Sequence, residues 1–132
     1  MSTILVTGGA GFIGSHVVDA LVAEGHRVVI VDNLATGSRD FLNPAAVFHE
    51  ESIGAPALDG IFEKEKPAVV MHLAAQIDVR RSVEEPLFDA ETNVLGSLNL
   101  LECCVKHKVT KLIFASTGGA IYGEVSELPV SE

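Results

Sequence analysis

A doubly wound parallel α/β sheet, about five strands with helices on both faces, is the fold class this sequence predicts. Three observations predict it. Short apolar runs alternate with longer amphipathic stretches, the first run ends in closely spaced glycines, and the second ends in an aspartate. Such alternation generates parallel strands joined by right-handed crossovers. Strands covered on both faces read as continuous apolar runs rather than alternating ones, as these mostly do.

The strands are expected at Thr3–Thr7, Arg27–Val31, Ala46–His49, Ala68–Leu73 and Lys111–Ser116. Between the first two, Ile13, Val17, Ala20, Leu21 and Glu24 recur at helical spacing, which predicts a helix over Phe12–Glu24 closed by Gly25 in a left-handed cap. Asn33 to Asn43, with Thr36, Gly37 and Ser38, reads as a loop on the ligand side of the second strand. A shorter helix over Ala57–Lys66 is ended by Pro67. The longest helical candidate is Pro86–His107, with Phe88, Thr92, Leu95, Asn99 and Glu102 along one side and Leu98, Leu101 and Val105 along another. Its apolar surface exceeds what one sheet covers.

With 132 residues, 48% of them apolar, the chain has the size of one folded domain. A net charge of -9 without a basic patch argues against a nucleic-acid partner. No apolar run approaches the ~20 residues that span a bilayer, and Met1 leads straight into a strand, so neither a membrane nor a secretory route is expected and a cytoplasmic location follows. The adjacent Cys103 and Cys104 suit neither a disulfide framework nor a metal site, and are expected as packed thiols. No metal centre is expected.

Gly9, Gly11 and Gly14 fit Gly-x-Gly-x-x-Gly, while Gly8, Gly11 and Gly14 fit Gly-x-x-Gly-x-x-Gly. Glycines between a strand and a helix let backbone N–H groups and the positive helix end approach a pyrophosphate. Asp32 follows about 20 residues on, where a carboxylate accepts both ribose hydroxyls of an adenosine and repels the 2′-phosphate of NADP, which favours NAD. The bland alternative is that Asp32 begins a turn with Asn33. Arg39 reads as a phosphate partner or as a solvated loop charge.

Leu73, Ala74, Ala75 and Gln76 follow the fourth strand, where small side chains suit either a closely approaching cofactor or an Ala-rich strand end under a helix. His72 reads as a packed, hydrogen-bonded strand residue rather than an acid or base. Asn93 is a poor helix former inside a helix. It is either a surface residue or a buried amide that binds backbone of two neighbouring strands and fixes the pocket floor. Ser116 to Gly123 end the fifth strand on the rim of the first glycine loop, where the hydroxyls face a cofactor and the Gly pair permits a tight reversal, or where a plain glycine turn closes the strand.

Taken together, Thr7 to His16, Asp32-Asn33-Leu34, His72 to Gln76, Asn93 to Gly96 and Ser116 to Gly123 resemble, in order and spacing, the extended short-chain dehydrogenase/reductase (NAD-dependent epimerase/dehydratase) family over the whole chain. That resemblance implies a Rossmann domain binding NAD. It implies that Phe12 and Ile13 contact the pyrophosphate, and that Asp32, Asn33, Leu34, Ala35, Thr36 and Gly37 hold the adenosine ribose. Ser52 and Ile53 approach the adenine, Leu73 to Ile77 line the cofactor, and Asn93 supports it. Thr117 matches the hydroxyl that assists catalysis, with Ser116 as its rival because Phe114–Tyr122 looks one residue longer than in many members. The implied activity is 4-epimerisation of a UDP-sugar by a homodimer that pairs through Pro86–His107 and a second helix.

One departure stands out. Members use a Tyr-x-x-x-Lys helix, whose Tyr takes the sugar hydroxyl proton. The only Tyr here, Tyr122, is followed four places later by Ser126. Residues 1–132 are therefore expected to be the amino-terminal, NAD-binding part of a longer enzyme, without turnover of their own. Members that dehydrate often carry an acidic pair where this chain has Gly118 and Gly119, which disfavours dehydration. A related dehydratase, decarboxylase or reductase on a nucleotide sugar is the second enzyme reading, and a short protein that only binds a dinucleotide is the third.

Overall fold

The apolar runs become five parallel strands, β1 (Thr3–Thr7), β2 (Arg27–Asp32), β3 (Val47–Glu50), β4 (Val69–His72) and β5 (Lys111–Phe114). They form one sheet in the order β3-β2-β1-β4-β5. The computed structural model describes residues 1–124, 126, 128 and 129. The chain winds outward from β1 to β3 on one side and then returns to place β4 and β5 on the other. The strand order thus reverses between β1 and β4, and open α/β sheets bind ligands in the crevice beyond the carboxyl ends at such a point.

Alternate residues of the strands feed two cores. Leu5, Val29, Val31 and Val70 face helices α2 (Leu58–Glu65) and α5 (Ser97–Lys106), packing on Leu58, Phe62, Leu100 and the buried thiols of Cys103 and Cys104. Ile4, Val6, Val28 and Ile30 face helix α1 (Phe12–Ala23) through Val18, with Leu21 and Val22 beside it. Each side chain so buried contributes about 1.5–3 kcal/mol relative to exposure. The two faces are covered because both are apolar, which is why period-two alternation is absent from the sequence. Helix α2 is tied to α5 by Asp59, which accepts from Nζ of Lys106 and pairs with Nε2 of His107, each at 2.8 Å. The Lys106 hydrogen bond, followed by that from His107, holds the Asp59 carboxyl below its ordinary range.

Helix ends follow local chemistry. Helix α1 stops at Gly25, whose φ of +81° accepts the left-handed turn expected of it. Helix α2 ends at Lys66, itself left-handed, directly before Pro67. Strand β5 stops at Phe114, two residues short of the expected Ser116, and β2 continues to Asp32.

Four local features differ from the sequence-based expectation. Val79–Glu84 forms a helix, α3, because Asp78 caps it by accepting from the amides of Arg80 and Arg81. The stretch from Pro86 is not one uniform helix. It runs as α4 (Pro86–Ala90), a π-helical turn (Glu91–Gly96) and α5. The ladder widens where Ser97 Oγ donates to the Asn93 carbonyl at 2.7 Å, a hydroxyl inserted into the helical hydrogen bonds. A 3₁₀ turn at Arg39–Phe41, capped by Ser38, interrupts the expected loop. Gly118–Tyr122 is a short helix, α6, rather than the expected tight reversal.

Candidate functional site

The register of the sheet assembles one rim. Thr7 pairs with Val31 on one side and with His72 on the other, and His72 pairs with Phe114. Gly8, Asp32, Leu73 and Ala115 therefore leave four adjacent strands side by side at their carboxyl ends.

Gly8 takes φ +71°, and a Cβ there would lie 2.8 Å from the Ala74 amide nitrogen. The turn after β1 can touch the segment after β4 only without a side chain. The Gly8 carbonyl accepts from Gly11 N at 3.1 Å, and a Cβ on Gly14 would stand 2.0 Å from the same oxygen. Of the two glycine spacings in the sequence, Gly8, Gly11 and Gly14 are thus the three that close around one carbonyl. Gly9 instead packs on the Ile30 side chain. Helix α1 starts at Phe12 with no side-chain cap, so its first-turn amides remain free for an anion. Phe12 and Ile13 stand 75% and 67% exposed over that helix end, where they could cover a bound group.

Asp32 is buried, and its two oxygens do different work. Oδ2 accepts from Ala10 N at 3.0 Å in the glycine turn, and Oδ1 accepts from Leu34 N at 2.8 Å in its own loop. The Asn33 side chain caps Ala35 N, Ser38 N donates to the Ala10 carbonyl, and a Cβ at Gly37 would meet that carbonyl at 2.9 Å. The loop Asn33–Gly37 is thereby stitched to the glycine turn, with Thr36 exposed. Both Asp32 oxygens keep lone pairs for ribose hydroxyls. Arg39 points elsewhere, pairing with Glu50 and lying over the Phe48 ring.

Beyond β3, Ser52 is half-buried and Ile53 is buried, its side chain against Gly96. Asn99 Nδ2 holds this segment by donating to the Ile53 carbonyl at 2.7 Å. Beyond β4, Leu73, Ala74, Ala75, Asn93 and Phe114 line a cleft of about 70 Å³, and Ile77 projects into solvent.

Asn93 clamps this rim from the π-helical turn. Its Oδ1 accepts from Gln76 N at 2.8 Å, and its Nδ2 donates to Gln76 O at 2.9 Å and to Asp89 Oδ1 at 3.1 Å. The amide grips both backbone groups of one residue, not two strands as anticipated, because the π turn lifts it beyond the strand ends. Replacing it isosterically, Asn93→Asp, turns both Nδ2 donors into an anion facing a carbonyl and a carboxylate. A loss of about 1–3 kcal/mol in urea unfolding is expected, with faster hydrogen exchange at Gln76.

Thr117 caps α6 in an extended conformation and uses its carbonyl, which accepts from Ala120 N and Ile121 N, rather than its hydroxyl. Both the Thr117 and Ser116 side chains are exposed on the rim. Among the described residues no group of three or more His, Cys, Asp or Glu is placed to hold a metal ion. No described helix is long and apolar enough to cross a membrane.

Residues 4–132 match the model of the NAD dependent epimerase/dehydratase family. The chain belongs to that family. A relative from Methanocaldococcus jannaschii is 51% identical over 129 residues, covering 98% of this chain and 42% of its own length. The UDP-glucose 4-epimerase of Mycolicibacterium smegmatis is 44% identical over 133 residues, covering 97% of this chain and 42% of its own. Among solved structures, the Thermus thermophilus UDP-glucose 4-epimerase complex with NAD superposes with a TM-score of 0.92 at 50% identity, over 98% of this chain and 42% of that one. The Thermotoga maritima UDP-glucose 4-epimerase with UDP-glucose gives 0.90 at 54% identity, over 96% of this chain and 41% of that one. The chain therefore spans about two fifths of the length of these epimerase/dehydratase relatives.

Within this family frame, the structure brings together most residues singled out from the sequence, gives Thr7, Ala10 and Gln76 bracing roles, and adds Asp89 and Ser97, which the sequence did not mark. Thr7, Ala10, Gln76, Asp89 and Ser97 carry the hydrogen bonds that hold the glycine turn, the Asp32 loop and the β4 rim in place. Gln76 was foreseen as lining. Its side chain also bridges to Asp78 O and Asp89 Oδ1. Ser97 had a usable signal, a hydroxyl four residues after Asn93 on the same helical stretch.

Proposed function

We propose that residues 1–132 form the NAD-binding part of a UDP-glucose 4-epimerase. The observation that carries this is the contact of Gly8 with the Ala74 backbone, since it brings the turn before an uncapped helix end, to which the Asp32 carboxylate is bonded, against the β4 rim. The names of the relatives supply the substrate.

In this reading the free amides at the start of α1, opened by Gly8, Gly11 and Gly14, hold the pyrophosphate under Phe12 and Ile13. Asp32 takes the adenosine ribose hydroxyls, with Asn33, Leu34, Ala35, Thr36 and Gly37 around it, and Ser52 and Ile53 meet the adenine. Leu73, Ala74, Ala75, Gln76 and Ile77 line the nicotinamide half, braced by Asn93. Bound NAD would supply a hydride acceptor and donor for C4 of the sugar. The hydroxyl of Thr117, or of Ser116, hydrogen-bonds the reacting sugar hydroxyl, while the proton-taking Tyr of a Tyr-x-x-x-Lys helix belongs to a part of the enzyme outside this chain. The enzyme works in the cytoplasm as a homodimer, paired through the exposed apolar side chains of the helical stretch that includes Leu87, Leu98, Leu101 and Val105.

Calorimetric titration tests the cofactor half. The chain is expected to bind NAD and to bind NADP at least about tenfold more weakly, because the 2′-phosphate meets the Asp32 carboxylate. Equal affinities would refute the assignment of Asp32. No conversion of UDP-galactose is expected, and turnover by residues 1–132 alone would refute their role as a cofactor-binding part.

A further inference from the structure

His72 ends β4, is only 4% exposed, and belongs to an unbroken chain of hydrogen bonds. Thr7 Oγ1 accepts from the amides of Leu73 and Ala74, each at 3.2 Å, so its own proton goes to His72 Nδ1 at 2.7 Å. On the other side, Ser97 Oγ spends its proton on the Asn93 carbonyl at 2.7 Å and leaves lone pairs for His72 Nε2 at 3.0 Å. One ring form satisfies every member: neutral, with the proton on Nε2. A second proton on Nδ1 would face a hydroxyl whose hydrogen already points at it.

We propose that His72 is a positioning residue for the dinucleotide, and that its neutral Nε2–H form locks the Leu73–Ala74 backbone to Thr7 on one side and the π-helical turn bearing Asn93 on the other. The inference rests on reading this crevice as a dinucleotide site. Protonation of the ring breaks the link to Thr7, frees the Ala74 amide, leaves Leu73 N only its bond to the Thr7 carbonyl at 3.2 Å, and loosens the rim on which the cofactor lies. The neighbours of the ring are Thr7 from β1, Ser97 from α5 and the Phe114 ring from β5, none of them charged. The Asp89 carboxylate joins the network only through the Asn93 and Gln76 side chains. Burial pushes the ring's pKa below its ordinary value. The stability the ring contributes is therefore complete above about pH 6.5 and declines as pH falls below it, because the unfolded chain then takes up protons first.

Three measurements on the 132-residue chain decide the matter. Ring ¹⁵N shifts are expected to show His72 with a bare Nδ1 and a protonated Nε2 at neutral pH; a protonated Nδ1 there would overturn the proposal. NAD binding is expected to weaken about fivefold between about pH 7.5 and pH 5, the factor carried by one ordinary hydrogen bond. In His72→Asn, which offers Thr7 an acceptor but cannot titrate, binding is weaker at neutral pH and flat across that range. A variant as pH-dependent as the parent, or a parent with a flat profile, would overturn the role. A chain that binds no NAD at any pH refutes the reading of the crevice instead. The protection factor at Ala74, its exchange rate relative to the intrinsic rate at the same pH, is expected to fall on acidification in the parent alone and then decides the positioning role, and unchanged protection overturns it.

Discussion

Gly14→Ala is expected to abolish NAD binding and to destabilise the chain by about 3 kcal/mol or more, the upper part of the range for overpacked sites. A Cβ at residue 14 would stand 2.0 Å from the Gly8 carbonyl oxygen, 2.8 Å from its carbon and 2.8 Å from Gly9 Cα. All three are backbone atoms, so no side chain can swing aside. Relief requires moving α1 away from the end of β1, which also withdraws the helix N-terminus from the crevice. Gly60→Ala makes the contrast. It lies inside α2 with nothing within 4 Å of the added methyl, and a gain of about 0.5–1 kcal/mol is expected from helix propensity alone. Thermal unfolding and calorimetry on the two variants check the pair. Retained NAD affinity in Gly14→Ala would mean that the glycine turn is not the phosphate site.

Asp32→Asn is expected to weaken NAD binding by about 10- to 100-fold with little change in shape. Each carboxylate oxygen receives a different backbone N–H, from Ala10 and from Leu34. An amide can accept only on its oxygen, so its NH₂ group must confront one of those donors. The result disturbs either the glycine turn or the Asn33–Gly37 loop, and removes the charge proposed to repel the 2′-phosphate of NADP. Preference between the two dinucleotides should narrow accordingly. An Asn variant that still discriminates as the parent does would place the selectivity elsewhere, and titration with both cofactors distinguishes the cases.

Much of this site was legible because its constraints are local in sequence. Glycine spacing after a strand, an aspartate ending the next strand and small residues after the fourth are consequences of backbone approach, and they recur at fixed offsets. What escaped depends on long-range partners. The link from Thr7 to His72 bridges 65 residues, and the pairing of Asn99 with Ile53 bridges 46. Neither carries a periodic signal. The π-helical turn was hidden for the same reason, since apolar spacing across Pro86–His107 reads as one helix and only the Ser97 hydroxyl reveals the widening. Helix α3 was missed although Asp78 marks its start, because six residues are too few for a periodic pattern. In α6 the poor helix formers Gly118 and Gly119 masked a turn that Thr117 opens.

The central position of β1 also orders events in time. Its first neighbour begins with Thr3 opposite Arg27, while the second begins with Ile4 opposite Val69, 65 residues later. Pairing across so long a loop forms late, after closure entropy has been met. On a ribosome, β1, α1 and β2 can therefore dock before the cradle exists, because the surface that Gly8 touches is residue 74. The first βαβ unit already carries the proposed pyrophosphate and ribose contacts, so it is the β4 side of the crevice alone that waits for residue 74.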